Sequence, residues 1–301
     1  MKYTHLIWMP LFPVLLSALL FLGYGSLWLK TFYGPSIETT FFSVGQGDCS
    51  LVVTPEGRRI LVDAGPEEDS ALNALNTLMG QLDRHIDLIV LTHPHKDHVQ
   101  GVYKVLESYN VGAVLINEES DTPLYAQLQK LAEEKHVPVL IANPAQDILV
   151  DAYSFIDIIA PTNLDDESLT KNLNNTSLVF LLRSGQHTEL FSGDAEQEEE
   201  SAILKEGTFL QAELLKGGHH GSRTSSTLPY LKAIAPKNIV YMNGVKNQFH
   251  HPHEETLEKL RTLKIPFFNT SISGTVHATC SLEKIDCTIS SDFPYEHSDT
   301  S

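Results

Sequence analysis

The sequence is short of cysteine and short of positive charge, and each shortage argues against something. Three cysteines in 301 residues, Cys49, Cys280 and Cys287, are too few and too scattered for a zinc ribbon or a disulfide-built scaffold. Lys and Arg together number 21 against 38 Asp and Glu, a formal net charge of −17. That balance argues against a broad basic face for nucleic acid and predicts a soluble, self-repelling surface. A nucleic-acid substrate stays open, because a bound metal ion supplies its own local positive charge. No short internal repeat is present.

Long apolar runs are also scarce, with one exception. Residues 6–29 carry no charge and include Trp8, Tyr24 and Trp28 near their ends. At 1.5 Å per residue, about 24 residues cover a hydrocarbon core of roughly 30 Å. The run is apolar all round and contains Pro10 and Pro13, so it predicts an uncleaved membrane anchor over 1–30 rather than a buried soluble helix. A signal peptide is the other reading, since Gly23-Tyr24-Gly25 forms a small-x-small pattern. Lys2 and Lys30 flank the run almost evenly, and a short tail before a lone span places the rest of the chain outside the cell.

The densest chemistry lies in Leu91–Gly101, Leu-Thr-His-Pro-His-Lys-Asp-His-Val-Gln-Gly. His93, His95, Asp97 and His98 directly follow the apolar run Ile86–Leu91, which reads as a buried strand. Imidazole and carboxylate in that density suit Zn²⁺, Mn²⁺ or Fe²⁺ better than Ca²⁺. A second cluster, Lys216-Gly217-Gly218-His219-His220-Gly221-Ser222, ends a strand in glycines and is followed by Arg223, Thr224, Ser225 and Ser226, donors suited to phosphate oxygens. A third, His250-His251-Pro252-His253-Glu254-Glu255, reads as a helix start. Eight of the 14 histidines lie in these clusters. Asp63 and Asp194 each end an apolar strand, where a carboxylate is costly unless paired. Asp63 is therefore expected to hydrogen-bond ligands or bound water, and Asp194 to bridge two ions.

Between these points the pattern predicts strands at Thr39–Val44, Ser50–Thr54, Arg59–Asp63, Ala113–Ile116, Val137–Ile141, Ser154–Ala160, Ser177–Arg183, Thr188–Ser192, Ala212–Lys216 and Asn238–Met242. Helices are predicted at Ser70–Leu82, Val99–Tyr109, Pro123–His136, Ala195–Glu206 and His253–Leu263, a loop at Thr162–Asn175, and a final hairpin at Val276–Ser290. A two-residue turn at Glu283–Lys284 sets Cys280 opposite Cys287. That pairing permits a disulfide in an oxidising compartment; two small half-buried hydrophobes are the alternative. Two strand-then-helix halves predict two sheets back to back with helices outside.

These segments resemble the metallo-β-lactamase superfamily, and within it the C-terminal β-lactamase-like domain of ComEC-type competence proteins. The carrying segments are Phe-Ser-Val-Gly-Gln-Gly-Asp-Cys-Ser (42–50), Ile-Leu-Val-Asp-Ala-Gly, Leu-Thr-His-Pro-His-Lys-Asp-His, Asn-Asn-Thr-Ser-Leu-Val (174–179), Ser-Gly-Asp, Lys-Gly-Gly-His-His-Gly-Ser-Arg-Thr-Ser-Ser and Asn-Gln-Phe-His-His-Pro-His. The resemblance implies an α+β, four-layer αββα sandwich over 38–290, between the anchor and a flexible tail at 291–301. It also implies two divalent ions, Zn or Mn. His93 and His95 would hold one; Asp97, His98 and a histidine of the 219–220 pair, His219 matching better, would hold the other, with Asp194 bridging. Where the superfamily usually has a further histidine, this chain has Asn174-Asn175-Thr176, and Asn175 is assigned to the substrate.

The implied activity is hydrolysis by a metal-activated hydroxide, acting on a phosphodiester of nucleic acid. Asp97 would orient the water, and Arg223, Ser225, Ser226 and His253 would contact the substrate or protonate its leaving group. The alternatives are a hydrolase of a small or cell-surface ester (phosphorylcholine, a lactone or a β-lactam) and a non-catalytic, membrane-tethered accessory protein.

Overall fold

Apolar residues along the strands alternate between two buried faces, which requires packing on both sides of each sheet. In the strand His85–Leu91, Leu88 and Val90 point into the core between the sheets, while Ile89 and Leu91 point toward helices. The computed structural model describes residues 35–80, 82–117, 122–162, 167–283 and 287–293. Its first sheet is built from β1 (Ser36–Phe41), β2 (Ser50–Val53), β3 (Arg59–Val62), β4 (His85–Leu91), β5 (Asn110–Ile116) and β6 (Val139–Ile141). The chain then crosses to a second sheet of β7 (Ile148–Leu149), β8 (Ser154–Ala160), β9 (Val179–Ser184), β10 (His187–Phe191), β11 (Leu214–Lys216), β12 (Asn238–Tyr241) and β13 (Phe267–Asn269). Finally β14 (Val276–Ser281) and β15 (Cys287–Ser291) return to the first sheet beside β1.

The strand orders are β15-β14-β1-β2-β3-β4-β5-β6 and β13-β12-β11-β10-β9-β8-β7. Phe41, Phe180 and Phe191 stack within the central core. Helices Ser70–Met79, Val102–Ser108 and Pro123–Glu134 cover the outer face of the first sheet. Helices Gln197–Glu206, Leu228–Ile234 and Glu254–Leu263 cover that of the second. The four-layer α+β sandwich expected from the sequence is what the chain forms. β3 to β6 run parallel, as do β10 to β13, so the carboxyl ends of strands from each sheet can present loops in the manner of open α/β sheets.

Several boundaries differ from the sequence reading. β1 stops at Phe41, not Val44, because the chain turns through Gly45 and Gly47 toward the site. The expected loop 162–175 contains a helical turn at Glu167–Thr170 and a tight turn at Leu173–Thr176. Helix Leu228–Ile234 went unpredicted, as did β7 and β13, because two helical turns or two to three strand residues are too short to show a period. Cys280 and Cys287 pair across β14 and β15 and are joined by a disulfide. The proposed anchor, most of the tail and residue 284 of the hairpin turn lie outside the described residues. Among the described residues no helix is long and apolar enough to cross a membrane.

Candidate active site

β4 delivers Thr92 and His93 to the edge of the sandwich, and Lys96–Val99 then coil into one helical turn. Extended backbone before the turn sets His93 and His95 side by side, with His93 Nε2 3.0 Å from His95 Nδ1. The turn swings His98 fully inward, its ring 4.2 Å from that of His93. Gly47 permits this packing, because a Cβ there would collide with the Asp97 carbonyl oxygen.

The other half comes from the second sheet. After β10, Asp194 donates its amide to Ser177 Oγ at 3.0 Å. After β11, His219 and His220 both take left-handed backbone, φ 46° and 52°, which splays their rings apart. His219 turns toward Glu196, with Nδ1 3.0 Å from Oε1. His220 Nε2 instead lies 3.2 Å from Asp97 Oδ2 and 3.4 Å from Asp194 Oδ2. Asp97, His98, Asp194 and His220 thus bring one ligand atom each within 4.8 Å of one another. The sequence had favoured His219 for this place; His219 Nε2 lies 3.9 Å from Asp194 Oδ2, and His220 Nε2 is the closer of the two.

Buried partners fix the ring orientations. His98 Nδ1 donates to Asp63 Oδ2 at 2.8 Å, and Asp63 also accepts from the Thr92 amide and hydroxyl, each at 2.9 Å. His220 Nδ1 donates to the Met242 carbonyl at 2.8 Å. Each ring therefore turns Nε2 toward Asp194, the arrangement in which an outer hydrogen bond orients a metal-binding imidazole. His98 Nε2 and Asp194 Oδ1 are buried with no hydrogen-bond partner. Orphaned buried atoms are rare unless a ligand satisfies them. With donors that are imidazole nitrogen and carboxylate oxygen, the residues fit a divalent transition ion.

The electrostatics point the same way. Burial opposes ionisation of Asp194, yet His220, His98 and His219 hold its carboxyl well below the usual range. Burial also opposes charging of His98 and His220, but Asp194 with Asp63 or Asp48 holds both imidazoles well above theirs. His93 is pushed well below by burial and by His98.

Two residues of the cluster escaped the sequence reading. Asp48 lies 3.2 Å from His220 Nδ1, and Lys216 Nζ contacts its carboxylate while lying 2.8 Å from the Gly193 carbonyl and 3.7 Å from Asp194 Oδ1. Asp48 sits in a Gly-Gln-Gly-Asp stretch that reads as a turn, and Lys216 ends a strand. Their one signal was membership of the motifs quoted above.

Other expected roles change. Ser225 is buried and donates to the Gly218 carbonyl at 2.8 Å, and Ser226 Oγ accepts from Tyr241 at 3.1 Å. Both hydroxyls face inward, away from any substrate. Asn175 is likewise buried, accepting from the Glu196 amide at 3.0 Å and donating to Glu198 at 3.3 Å. Its neighbour Asn174 is the residue beside His219, at 3.5 Å, with a buried, unpartnered Oδ1. His253 Nδ1 accepts from the Arg223 amide at 2.9 Å, so it positions the Arg223 backbone. Of the 250–253 stretch it is His251 whose ring lies 5.6 Å from that of His219 and 6.1 Å from that of His220. Burial and those two neighbours bring it down to about 3, a neutral imidazole. Arg223 is exposed, with Glu255 3.4 Å away.

Comparisons with known proteins identify relatives of the chain and of its fold. The chain is 25% identical over 256 residues to ComE operon protein 3 of Bacillus subtilis (strain 168), covering 79% of this chain and 32% of that protein. It is 29% identical over 236 residues to Competence protein ComA of Neisseria gonorrhoeae, covering 78% and 31%. It thus spans about a third of the length of these curated relatives. Among solved structures, Zn(2+)-bound PqqB from Methylobacterium extorquens shares the fold at a TM-score of 0.51 and 11% identity, over 77% of this chain and 97% of that one. The CmlA beta-hydroxylase E377D mutant does so at 0.52 and 15%, over 78% and 52%. The profile of the Metallo-beta-lactamase superfamily matches residues 43–264, and the chain belongs to that superfamily, whose members are generally hydrolases.

Proposed function

We propose that the protein is a metal-dependent phosphodiesterase acting on nucleic acid, tethered to a membrane by residues 6–29 with its catalytic domain outside. One observation carries the catalytic part: Asp97, His98, Asp194 and His220 converge from two sheets with buried ligand atoms left unpaired. Asp97, His98, Asp194 and His220 would hold one divalent ion; His93 and His95, completed by Asp194, would hold a second. When bound, such ions acidify water toward neutrality and stabilise the developing charge on a scissile oxygen.

The chain's own residues supply the remainder. Asp97 keeps about a third of its side chain exposed while Asp194 is almost wholly enclosed, so Asp97 is the carboxylate that can reach and orient a water at the mouth. Asp63 and the Met242 carbonyl hold the two imidazoles in register. His251, a neutral ring beside His219, offers a hydrogen bond to the leaving oxygen. The exposed Arg223 guanidinium, its backbone fixed by His253, suits a phosphate oxygen. Similarity to a competence protein and to Recombination protein 2 of Haemophilus influenzae (strain ATCC 51907 / DSM 11121 / KW20 / Rd), 25% identical over 256 residues, supports nucleic acid as the substrate.

The test is cleavage of single-stranded DNA, RNA and a generic phosphodiester by protein loaded with Zn²⁺ or Mn²⁺. Asp97→Ala should lower the rate by at least about 10²-fold, the scale of a misplaced reacting group. Undiminished cleavage by that variant, or none by the loaded parent, would overturn the assignment.

A further inference from the structure

A second set of metal-type donors lies at the opposite end of β10, roughly 20 Å from Asp194 at the rise of an extended chain. His187, Cys280 and Cys287 place their ring nitrogens and sulfurs within 4.8 Å of one another. In the structure the two sulfurs form a disulfide joining β14 to β15. Cys287 Sγ is 3.7 Å from His187 Nδ1, and Glu213 Oε2 is 3.5 Å from that same nitrogen.

The histidine is held for this purpose by a buried carboxylate. His187 Nε2 lies 2.9 Å from Glu189 Oε1, while Glu189 Oε2 accepts from Thr39 Oγ1 at 2.7 Å. Both His187 and Glu189 are buried. With Nε2 turned to Glu189, Nδ1 is the ring nitrogen that faces the Cys287 sulfur and Glu213. A carboxylate behind the distal nitrogen of a buried imidazole is the arrangement that orients metal-binding histidines. The distances fit as well. A tetrahedral zinc site, with bonds of about 2.05 Å to nitrogen or oxygen and about 2.3 Å to sulfur, puts N and S about 3.6 Å apart and N and O about 3.3 Å apart. The two sulfurs must separate, to about 3.8 Å by the same geometry, and breaking their bond allows that.

We propose that Cys280, Cys287 and His187, completed by Glu213, form a thiolate metal site for a Zn²⁺-class cation, closed by the disulfide and opened by reduction. A dithiol reductant breaks the S–S bond, is itself oxidised to its disulfide, and leaves two protein thiols. Binding of M²⁺ then releases both thiol protons and forms two sulfur bonds to the ion. Cys287 is only partly buried, on the edge strand of its sheet, so a reductant has a route to the bond. The disulfide ties β15 to β14 alone, whereas an ion held also by His187 would tie both strands to β10 across the core between the sheets.

The experiment uses the full chain, oxidised or reduced with a phosphine that is then removed. Co²⁺ should give thiolate-to-cobalt charge-transfer absorption in the near ultraviolet only in reduced protein. The imidazole and carboxylate donors of the candidate active site give no such band. The band should vanish in Cys280→Ser/Cys287→Ser, and Glu189→Gln should weaken Co²⁺ binding about 10- to 100-fold. Since the serine variant can fail to fold, a second readout uses wild type alone: Zn²⁺ should protect two thiols of reduced protein from alkylation. No band on reduction, a band that survives the double substitution (and so arises from Cys49), or alkylation indifferent to Zn²⁺ would each overturn the proposal.

Discussion

Glu199 offers a sharp test of how burial acts in this fold. It lies on helix Gln197–Glu206 with no exposed surface, and among the described residues neither carboxyl oxygen has a hydrogen-bond partner. Its neighbour Glu200, also buried, accepts from the Ser226 amide at 2.5 Å and the Thr227 amide at 2.8 Å. Burial pushes Glu199 from 4.5 up to about 7, with the Thr162 backbone opposing weakly and outside hydrogen-bond geometry. A folded state that holds this proton more tightly than the unfolded state is stabilised below pH 4.5, and the stabilisation drains away as pH rises through 7. At about 1.4 kcal/mol per pH unit of displacement, the full effect is about 3 kcal/mol, of which about 2.5 kcal/mol falls between pH 5 and pH 8. Gln mimics the protonated acid and does not titrate. Glu199→Gln should therefore match wild type at pH 5 within about 1 kcal/mol and exceed it at pH 8 by roughly the worked amount. Urea unfolding at both pH values measures this. A variant-minus-wild-type difference that stays constant between the two would refute the reasoning.

Other consequences are open to direct measurement. Asp63→Asn leaves the shape of the Asp63–His98 contact but removes its charge, and should weaken metal binding about 10- to 100-fold by equilibrium dialysis. Gly47→Ala should abolish metal loading while leaving a helix and sheet signal in circular dichroism, because its Cβ would meet the Asp97 carbonyl where the backbone φ is +152°; normal loading would show that the loop moves freely. Cys287→Ser opens a short closed loop and should cost about 2.5 kcal/mol of stability in chemical denaturation, by the chain-entropy relation. Under reducing conditions in the presence of a chelator that gap should close.

The layers of this fold were legible because apolar runs such as Ile86–Leu91 and Ser154–Ala160 carry their burial in their composition. The first histidine cluster was legible because four ligand-type side chains follow a strand with no room to scatter. Backbone handedness was less accessible. Nothing in the order His219-His220 reveals that both residues take positive φ, with the His220 ring toward Asp97 and the His219 ring toward Glu196. Hydroxyl roles were hidden for a related reason. Ser225 and Ser226 look like phosphate donors in the sequence, but Gly218, Tyr241 and Glu200 claim their polar groups from segments 7 to 26 residues away. The cross-strand cysteines, by contrast, were placed opposite one another by simple register.

The charge content of the cluster explains why a cation belongs there whatever the donors on its first side. Asp48, Asp63, Asp97 and Asp194 gather about His98 and His220, and Lys216 is the ammonium among them. With both imidazoles neutral, one ammonium against four carboxylates leaves three negative charges uncompensated. Enclosing them without a partner would cost several kcal/mol each. Without an ion, the neighbouring carboxylates hold the His98 and His220 imidazoles well above their usual range; a divalent ion held there would supply that positive charge instead. Lys216 contacts Asp48 and lies 3.7 Å from Asp194 Oδ1, so its one positive charge offsets only part of the total. Asparagine at 174 and 175 removes a neutral donor compared with histidine and leaves the count of charges unchanged. The departure at 174–176 therefore leaves the demand for positive charge as it was, because that is set by the four aspartates.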